Sequence, residues 1–147
     1  MEQTYTIRTL RPEEIPAAVG LIWEVFLQFE APEYPEEGIQ TFRALLGDKE
    51  RFWKQRFYGA FDSGVLVGTL CMRHPQHIGG FFVKANYHRK GIGRALFERM
   101  MQDYRNREFT VNSSPYAVEV YQHLGFEKTS EEQLADGIRY TPMRYHK

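Results

Sequence analysis

Apolar residues recur every three or four positions in two segments near the start of the chain, which indicates two amphipathic helices. In the first segment Pro12 and two glutamates precede the apolar positions, as is common in the first turn of a helix. We expect this helix to end near Phe29, followed by a proline-containing loop at 30–35. A second helix is expected from Glu36 to Leu46, ended by a glycine.

Strands are predicted where apolar residues alternate with polar ones or form short continuous runs. Asp62-Ser63-Gly64 is a hairpin turn signal, and Gly79-Gly80 inside a strand indicates a bulge or a close backbone approach. The predicted strands lie at 5–10, 57–61, 65–73, 77–83, 109–112, 126–129 and 138–145, the last two linked through Asp136-Gly137.

Two more helical patterns flank the strand at 109–112. The first begins at Ile92, directly after Gly91. The second is expected to begin at Ser114, with proline in its first turn, and to end at Gly125. The resulting order of helices and strands favours an α/β fold with a mixed sheet, and 147 residues suit one domain spanning 1–147.

Composition narrows the class of protein. Nineteen basic and nineteen acidic residues balance, so nothing in the charge favours a nucleic-acid partner. No apolar run has the length of a membrane span, and the N-terminus lacks the pattern of a signal peptide. With Cys71 as the single cysteine, we expect a cytoplasmic protein without disulfides or a membrane partner.

Charge is unevenly distributed along the chain. Seven acidic residues and no lysine or arginine lie between Pro12 and Phe42, whereas seven basic and two acidic residues lie between Lys84 and Arg107. Many of these charged side chains are expected to lie on solvent-exposed faces of helices. The two regions also fit a cationic acceptor and a phosphorylated donor on one domain.

The basic region contains a candidate phosphate site. A short apolar strand, Phe81-Phe82-Val83, is followed by His88-Arg89-Lys90-Gly91-Ile92-Gly93 and then by a helix. The first backbone N–H groups of a helix have no intrahelical partner and carry a partial positive charge, and glycine lets a ligand approach them. A third glycine for a dinucleotide turn is missing, as is the Gly-Lys-Ser/Thr of a P-loop.

The segment from His88 to Gly93 resembles the Arg/Gln-x-x-Gly-x-Gly/Ala signature of the GNAT superfamily of acyl-CoA-dependent N-acetyltransferases, with His88 in place of the usual first residue. A second segment, from Asn112 through Tyr121 to Phe126, is similar to the family's Asn-x-x-x-x-Ala…Phe-Tyr-x-x-x-Gly-Phe pattern, with Val120 in place of the first Phe. The resemblance covers nearly the whole chain. It implies a GNAT-like single domain with a mixed, mostly antiparallel sheet of about seven strands and four helices.

The resemblance also implies acetyl-CoA as the cosubstrate, without a metal. The strand Phe81-Phe82-Val83 would hold the pantetheine arm through its backbone. The segment from His88 to Gly93, called the glycine segment, would hold the pyrophosphate. The cofactor-binding residues implied by the family pattern are Phe81, Phe82, Val83, His88, Arg89, Lys90, Gly91, Ile92, Gly93, Arg94 and Asn112.

Tyr121 matches the tyrosine that the family uses as general acid toward the leaving thiolate. A phenol with a pKa of about 10 is protonated at neutral pH, as this role requires. The general base stays open from the sequence. The candidates are Glu30, His77, Glu24 and a chain of ordered water molecules.

In the GNAT fold the loop between the first two helices borders the acceptor cleft, which makes Phe29, Glu30, Glu33 and Tyr34 candidate acceptor-binding residues. Carboxylates and aromatic rings there favour a positively charged amine, on a small molecule or a peptide. The identity of the amine and the choice between monomer and homodimer cannot be read from the chain. A GNAT-fold module that binds coenzyme A or another phosphorylated ligand without catalysis is the alternative function.

Overall fold

The computed structural model describes residues 5–147. Its four helices are α1 (Ile15–Phe29), α2 (Glu36–Leu46), α3 (Ile92–Gln102) and α4 (Val118–Leu124). Its strands are β1 (Thr6–Thr9), β2 (Arg56–Asp62), β3 (Val65–Arg73), β4 (His77–Val83), β5 (Glu108–Ser113), β6 (Glu127–Lys128), β7 (Gln133–Ala135) and β8 (Ile138–His146).

The strands form one sheet in the order β1-β2-β3-β4-β5-β8-β6, and β7 pairs with β8. The pairing of β4 with β5 is parallel, while the other described pairs are antiparallel. The parallel ladder contains only His77 opposite Thr110 and Ile78 opposite Val111. Beyond Ile78 the two strands separate, which opens the middle of the sheet on the side of the candidate site.

Two apolar clusters form the core on opposite faces of the sheet. Helices α1 and α2 cover one face, and α3 and α4 cover the other. Neighbouring residues of one strand supply both clusters, because side chains alternate across a sheet. On β2, for example, buried Phe57 packs toward α1 while buried Tyr58 packs toward α3.

Several predicted features are confirmed. Helix α2 and strands β3 and β4 have the predicted bounds. Cys71 pairs with Gly80 and Met72 with Ile78, so the extra residue of a bulge is Gly79, as the glycine pair indicated. The sheet is mixed and mostly antiparallel, with four helices around it.

Two predictions of element bounds are wrong. Helix α4 begins at Val118 instead of Ser114, because the Ser114 hydroxyl and carbonyl both accept the Ala117 N–H and close a separate turn. Asp136-Gly137 links β8 to β7, a strand that the sequence did not indicate, and not to the strand near residue 127. All three residues of β7 are exposed, and the segment is too short to show an alternating pattern. With β7 the sheet has eight strands, in agreement with the expected number of about seven.

The β7–β8 turn packs against the N-terminal half of α2. The Thr41 hydroxyl donates to the carbonyl of Asp136 at 2.7 Å. A Cβ atom added to Gly38 would overlap the backbone carbonyl of Gly137. Only a glycine allows this approach between the helix and the turn.

No helix in the described part of the chain is long and apolar enough to cross a bilayer.

Candidate active site

Two adjoining cavities lie where β4 and β5 separate. The larger, of about 490 Å³, lies beside the start of α3 and is called the α3-side cavity. The smaller, of about 220 Å³, lies toward α2 and is called the α2-side cavity. The residues that line both are Glu30, Phe81, Phe82, Ala117 and Tyr121. A wider surface depression of about 770 Å³ outside α4 is lined by none of the predicted site residues.

The α3-side cavity contains the glycine segment. Gly91 has φ +80°, a left-handed conformation that favours glycine, and it forms the N-cap of α3. No atom lies within 4 Å of the position of a Cβ at Gly91, and one at Gly93 would meet only the Phe81 ring at 3.6 Å. The first turn of α3 is therefore open to an anionic ligand.

The basic residues of this segment take different positions. Arg89 lines the α3-side cavity. Lys90 instead lies over the Tyr87 ring at 5.5 Å, and Arg94 donates to the carbonyl of His123 at 3.0 Å. Of these three basic residues, Arg89 is the one that lines the cavity.

His88, which departs from the family pattern, is bonded within the protein. Its Nε2 lies 2.7 Å from the Val83 carbonyl oxygen, and its ring contacts Phe29 at 5.1 Å. The side chain thus fixes the loop before α3 against the end of β4. Because its imidazole is bonded to a backbone carbonyl, His88 helps to position the glycine segment.

The edge of β4 next to the cavities is open. Residues from Gly80 to Val83 pair with β3 on one side, whereas β4 pairs with β5 only up to Ile78. Among the described strands none covers the other edge of 79–83. An exposed strand edge can bind an extended chain through backbone hydrogen bonds.

Tyr121 lies at the junction of the two cavities. It is buried, and its ring makes edge contacts with Phe81 at 6.0 Å and Phe126 at 5.3 Å. Burial raises the pKa of the Tyr121 phenol above its ordinary value, and the negative charge of Glu30 raises it further. Tyr121 is therefore protonated at neutral pH.

Glu30 lies at the C-terminus of α1 and lines both cavities. Burial raises the pKa of its carboxyl to about 7; the Ser114 hydroxyl opposes this by hydrogen bonding, and the charge of Glu33 adds to it. The partial negative charge at a helix C-terminus disfavours a carboxylate in the same sense. Glu30 can therefore gain or lose a proton near neutral pH.

His77, the other predicted base, lines the α2-side cavity and not the α3-side cavity. Its Nδ1 is 2.8 Å from the Thr110 hydroxyl, across the β4–β5 pair. Burial lowers the pKa of His77 to about 4, and the charge of Arg73 contributes. The ring is neutral at pH 7. Glu24 is exposed and lines neither cavity.

The α2-side cavity combines aromatic walls with two opposite charges. Tyr34, Phe42 and Tyr140 line it, and the Tyr34 hydroxyl donates to the Arg139 carbonyl at 3.3 Å. Within the described residues, the Lys, Arg, Asp and Glu side chains that line it are Glu30 and Arg73. Asn112 also lines this cavity, whereas the family pattern had implied a contact with the cofactor.

Two predicted acceptor contacts lie elsewhere. Glu33 is exposed and lines neither cavity; its carbonyl accepts a hydrogen bond from Arg139 at 2.8 Å. Phe29 stacks on Tyr116 at 5.1 Å, on the side of the glycine segment. Glu30 and Tyr34 are the predicted loop residues that line the α2-side cavity.

Sequence reasoning missed Arg73, Ser114 and Tyr116. Arg73 reaches the site because β3 pairs it with His77, and such pairing has no local signature. Ser114 was interpreted as a helix cap, although its hydroxyl also acts on Glu30. The described residues contain no group of three or more His, Cys, Asp or Glu side chains placed to hold a metal ion.

Comparison with known proteins defines the class. The acetyltransferase (GNAT) domain profile matches residues 30–147, most of the chain, and the chain belongs to the GNAT acetyltransferase family. A Bacillus subtilis (strain 168) protein, provisionally named as an acetyltransferase, is 28% identical over 90 residues. The match spans 57% of this chain and 61% of that protein, about three fifths of its length.

Solved structures share the fold. A Rhodopseudomonas palustris protein described as a GCN5-related N-acetyltransferase and class-II aminotransferase has a TM-score of 0.84 at 21% identity, covering 99% of this chain and 98% of that one. The PaiA N-acetyltransferase of Thermoplasma acidophilum, in complex with coenzyme A, has a TM-score of 0.71 at 20% identity, covering 98% and 99%. At these identities the similarity establishes the fold.

Proposed function

We propose that the protein transfers an acetyl group from acetyl-CoA to an amine by direct attack in a ternary complex. The proposal rests on one observation: Glu30 and Tyr121 both line the two adjoining cavities. Two substrates can occupy adjoining spaces, with a titratable carboxyl and a protonated phenol at their junction. Holding both reactants in this way supplies much of the rate enhancement in such transfers.

Acetyl-CoA, when bound, supplies an activated acetyl thioester. The α3-side cavity fits it: the first turn of α3 and Arg89 would bind the pyrophosphate, and Gly91 and Gly93 keep the approach open. The open edge of Phe81, Phe82 and Val83 would pair with the pantetheine arm. A backbone N–H of this edge would face the thioester oxygen, a contact that stabilises developing negative charge.

Glu30 is the proposed general base. An acceptor amine with a pKa of about 10.4 is mostly protonated at neutral pH. The Glu30 carboxylate, with a pKa of about 7, can accept that proton once the amine lies beside the thioester carbon. His77, with a pKa of about 4, is a much weaker base and does not line the α3-side cavity.

Tyr121 is the proposed general acid. As the new C–N bond forms and the C–S bond breaks, its hydroxyl would donate a proton to the sulfur, and the second proton lost by the amine nitrogen would return to the Tyr121 phenolate. The negative charge of Glu30 raises the pKa of Tyr121, so protonation of Glu30 by the amine makes Tyr121 a better acid. The two proton transfers therefore assist each other.

Replacing Tyr121 by phenylalanine separates this proposal from a module that binds coenzyme A without catalysis. We expect kcat to fall by about 10²–10⁴-fold while the Kd for acetyl-CoA stays nearly unchanged. CoA release with a panel of amines measures the first quantity, and calorimetry the second. Tyr104→Phe, outside both cavities, is the matched control. Equal turnover in wild type and Tyr121→Phe would eliminate Tyr121 as the acid.

The acceptor is proposed to arrive as a cation, on a small molecule or a peptide, because Glu30 is the carboxyl at the junction. Tyr34 and Phe42 add aromatic surface that can lie against a cation. The reducing cytoplasm is the proposed location, since the single cysteine is free and buried.

A further inference from the structure

Two oppositely charged side chains, Glu30 and Arg73, line the α2-side cavity, and strand β4 relates their positions. Glu30 also lines the α3-side cavity, as do Phe81 and Phe82. Arg73 pairs with His77, at the start of β4. Positions 77 and 81 are four residues apart, so at about 3.3 Å per residue their backbones are separated by about 13 Å, somewhat less with the bulge.

Arg73 is available to a ligand. Its exposed guanidinium has no ion pair, hydrogen bond or ring contact with the described part of the chain, although other arginines of the protein do. The neighbouring His77 ring is neutral at pH 7 and Asn112 is uncharged, so no carboxylate of the cavity wall neutralises Arg73 at this end. Guanidinium groups bind carboxylates and phosphates through paired hydrogen bonds.

Most of the other residues that line the α2-side cavity are apolar or aromatic, among them Phe42, Ile78, Ile138 and Tyr140. A ligand that bridges both charges therefore needs a cationic amine, an apolar spacer of several bonds, and an anionic group. An α-amino acid is too short, because its charges are only two bonds apart.

We propose that the acceptor is an amine with an anionic group at the far end of an apolar spacer, and that Arg73 binds this group, a carboxylate or a phosphate. The inference rests on the proposed function, in which the amine end lies at Glu30. It replaces a simple cationic acceptor by one that carries both charges. Arg73 then selects the acceptor and orients it, while Glu30 and Tyr121 act on the reacting atoms.

The test compares matched acceptors: ω-aminohexanoate, its neutral amide, hexylamine, glycine and an aminoalkyl phosphate of similar length. With wild-type protein and saturating acetyl-CoA, we expect kcat/KM for ω-aminohexanoate to exceed that for its amide by about tenfold or more. Arg73→Gln should abolish this preference and leave the KM for acetyl-CoA unchanged. Arg73→Lys should restore part of it. Arg105→Gln, an exposed arginine that lines neither cavity, is the control.

Calorimetry of ω-aminohexanoate and its amide with the CoA-bound protein provides a readout that does not depend on turnover. Charge-selective binding that requires Arg73, without acetylation of any amine, would support the Arg73 site and refute the proposed function. Acetylation with equal kcat/KM for the acid, its amide and hexylamine would overturn the Arg73 site and leave the acetyltransferase intact. The ratio of carboxylate to phosphate turnover identifies the anion that the site prefers.

Discussion

At the scale of single residues, burial acts on two titratable groups of the cleft in opposite senses. It raises the pKa of Glu30 to about 7 and lowers that of His77 to about 4, because in each case the charged form loses hydration. A carboxylate that titrates near neutral pH is an effective base under working conditions. From the sequence alone, both Glu30 and His77 were candidate bases. Because their pKa values differ, the pH dependence of the reaction rate can distinguish them.

We expect kcat/KM for the acceptor to rise with pH up to about 7, because only ionised Glu30 accepts the proton of the amine. His77 as the base would place this limb at about 4 instead. The ionisation of the amine itself adds a second limb near pH 10, well separated from either. A pH–rate profile at saturating acetyl-CoA measures both limbs.

Two variants assign the lower limb of that profile. Glu30→Gln should remove it and lower kcat by about 10²–10⁴-fold. His77→Gln should leave the midpoint near 7. A limb that survives in Glu30→Gln would show that another group, or bound water, is the base.

At the scale of elements, the two glycines at the start of α3 differ in their local geometry. Gly91 needs its left-handed backbone, whereas a side chain at Gly93 would meet only the Phe81 ring. A substitution at Gly93 can therefore test ligand binding without distorting the turn. An aspartate in the first turn of a helix is even favourable for folding, by about 0.3–1 kcal/mol.

Gly93→Asp should keep or slightly raise the free energy of unfolding and weaken coenzyme A binding by about 100-fold or more, because a carboxylate then faces the pyrophosphate. Gly93→Asn has nearly the same volume without the charge and serves as its control. Urea denaturation and calorimetry with coenzyme A measure the two effects. Similar Kd values for both variants would place the phosphate site elsewhere.

The contact between α2 and the β7–β8 turn is a second element-scale feature. Gly38→Ala should lower the free energy of unfolding by about 1–3 kcal/mol, because the added Cβ overlaps the Gly137 backbone. Gly20→Ala, in α1, places a Cβ where no atom lies within 4 Å, and should raise it by about 0.5–1 kcal/mol. Urea denaturation measures both. Equal effects of the two substitutions would contradict the close approach.

The helices and strands that the sequence predicted correctly are those defined by a pattern within their own residues. The apolar period and the prolines placed α2, and alternation placed β3 and β4. The start of α4 was missed because a serine followed by proline can cap a helix or close a turn, and here the Ser114 hydroxyl accepts the Ala117 N–H in a separate turn. Strand β7 is exposed and is defined by its partner β8.

The site was predictable where one short segment carries it. Gly91, Gly93, Tyr121 and Glu30, which local patterns singled out, line the two cavities, and their roles stay predictions. The backbone carbonyl of Glu33 is bonded to Arg139, more than one hundred residues away, and the place of Arg73 depends on strand pairing. Contacts of this range leave no local pattern in the sequence.

At the scale of the whole molecule, the opening between β4 and β5 imposes a cost on stability. The separation creates the cavities, and Glu30 at their junction must ionise with reduced hydration. The pKa of Glu30 in the folded state lies above its unfolded value of 4.5. The favourable effect of neutral Glu30 is therefore complete below about pH 4.5 and is lost as pH rises through 7.

Glu30→Gln, which cannot ionise, should escape this loss. At about pH 8 we expect it to be more stable than wild type by about 1–3 kcal/mol, and at about pH 5 nearly equal to it. Urea denaturation of both proteins at the two pH values gives the comparison, in which the titration of His77 cancels. Glu24→Gln, at an exposed position on the same helix and outside both cavities, is the control substitution. If the difference between Glu30→Gln and wild type were the same at both pH values, Glu30 would not carry a raised pKa, and the basis for its role as the proton acceptor would be lost.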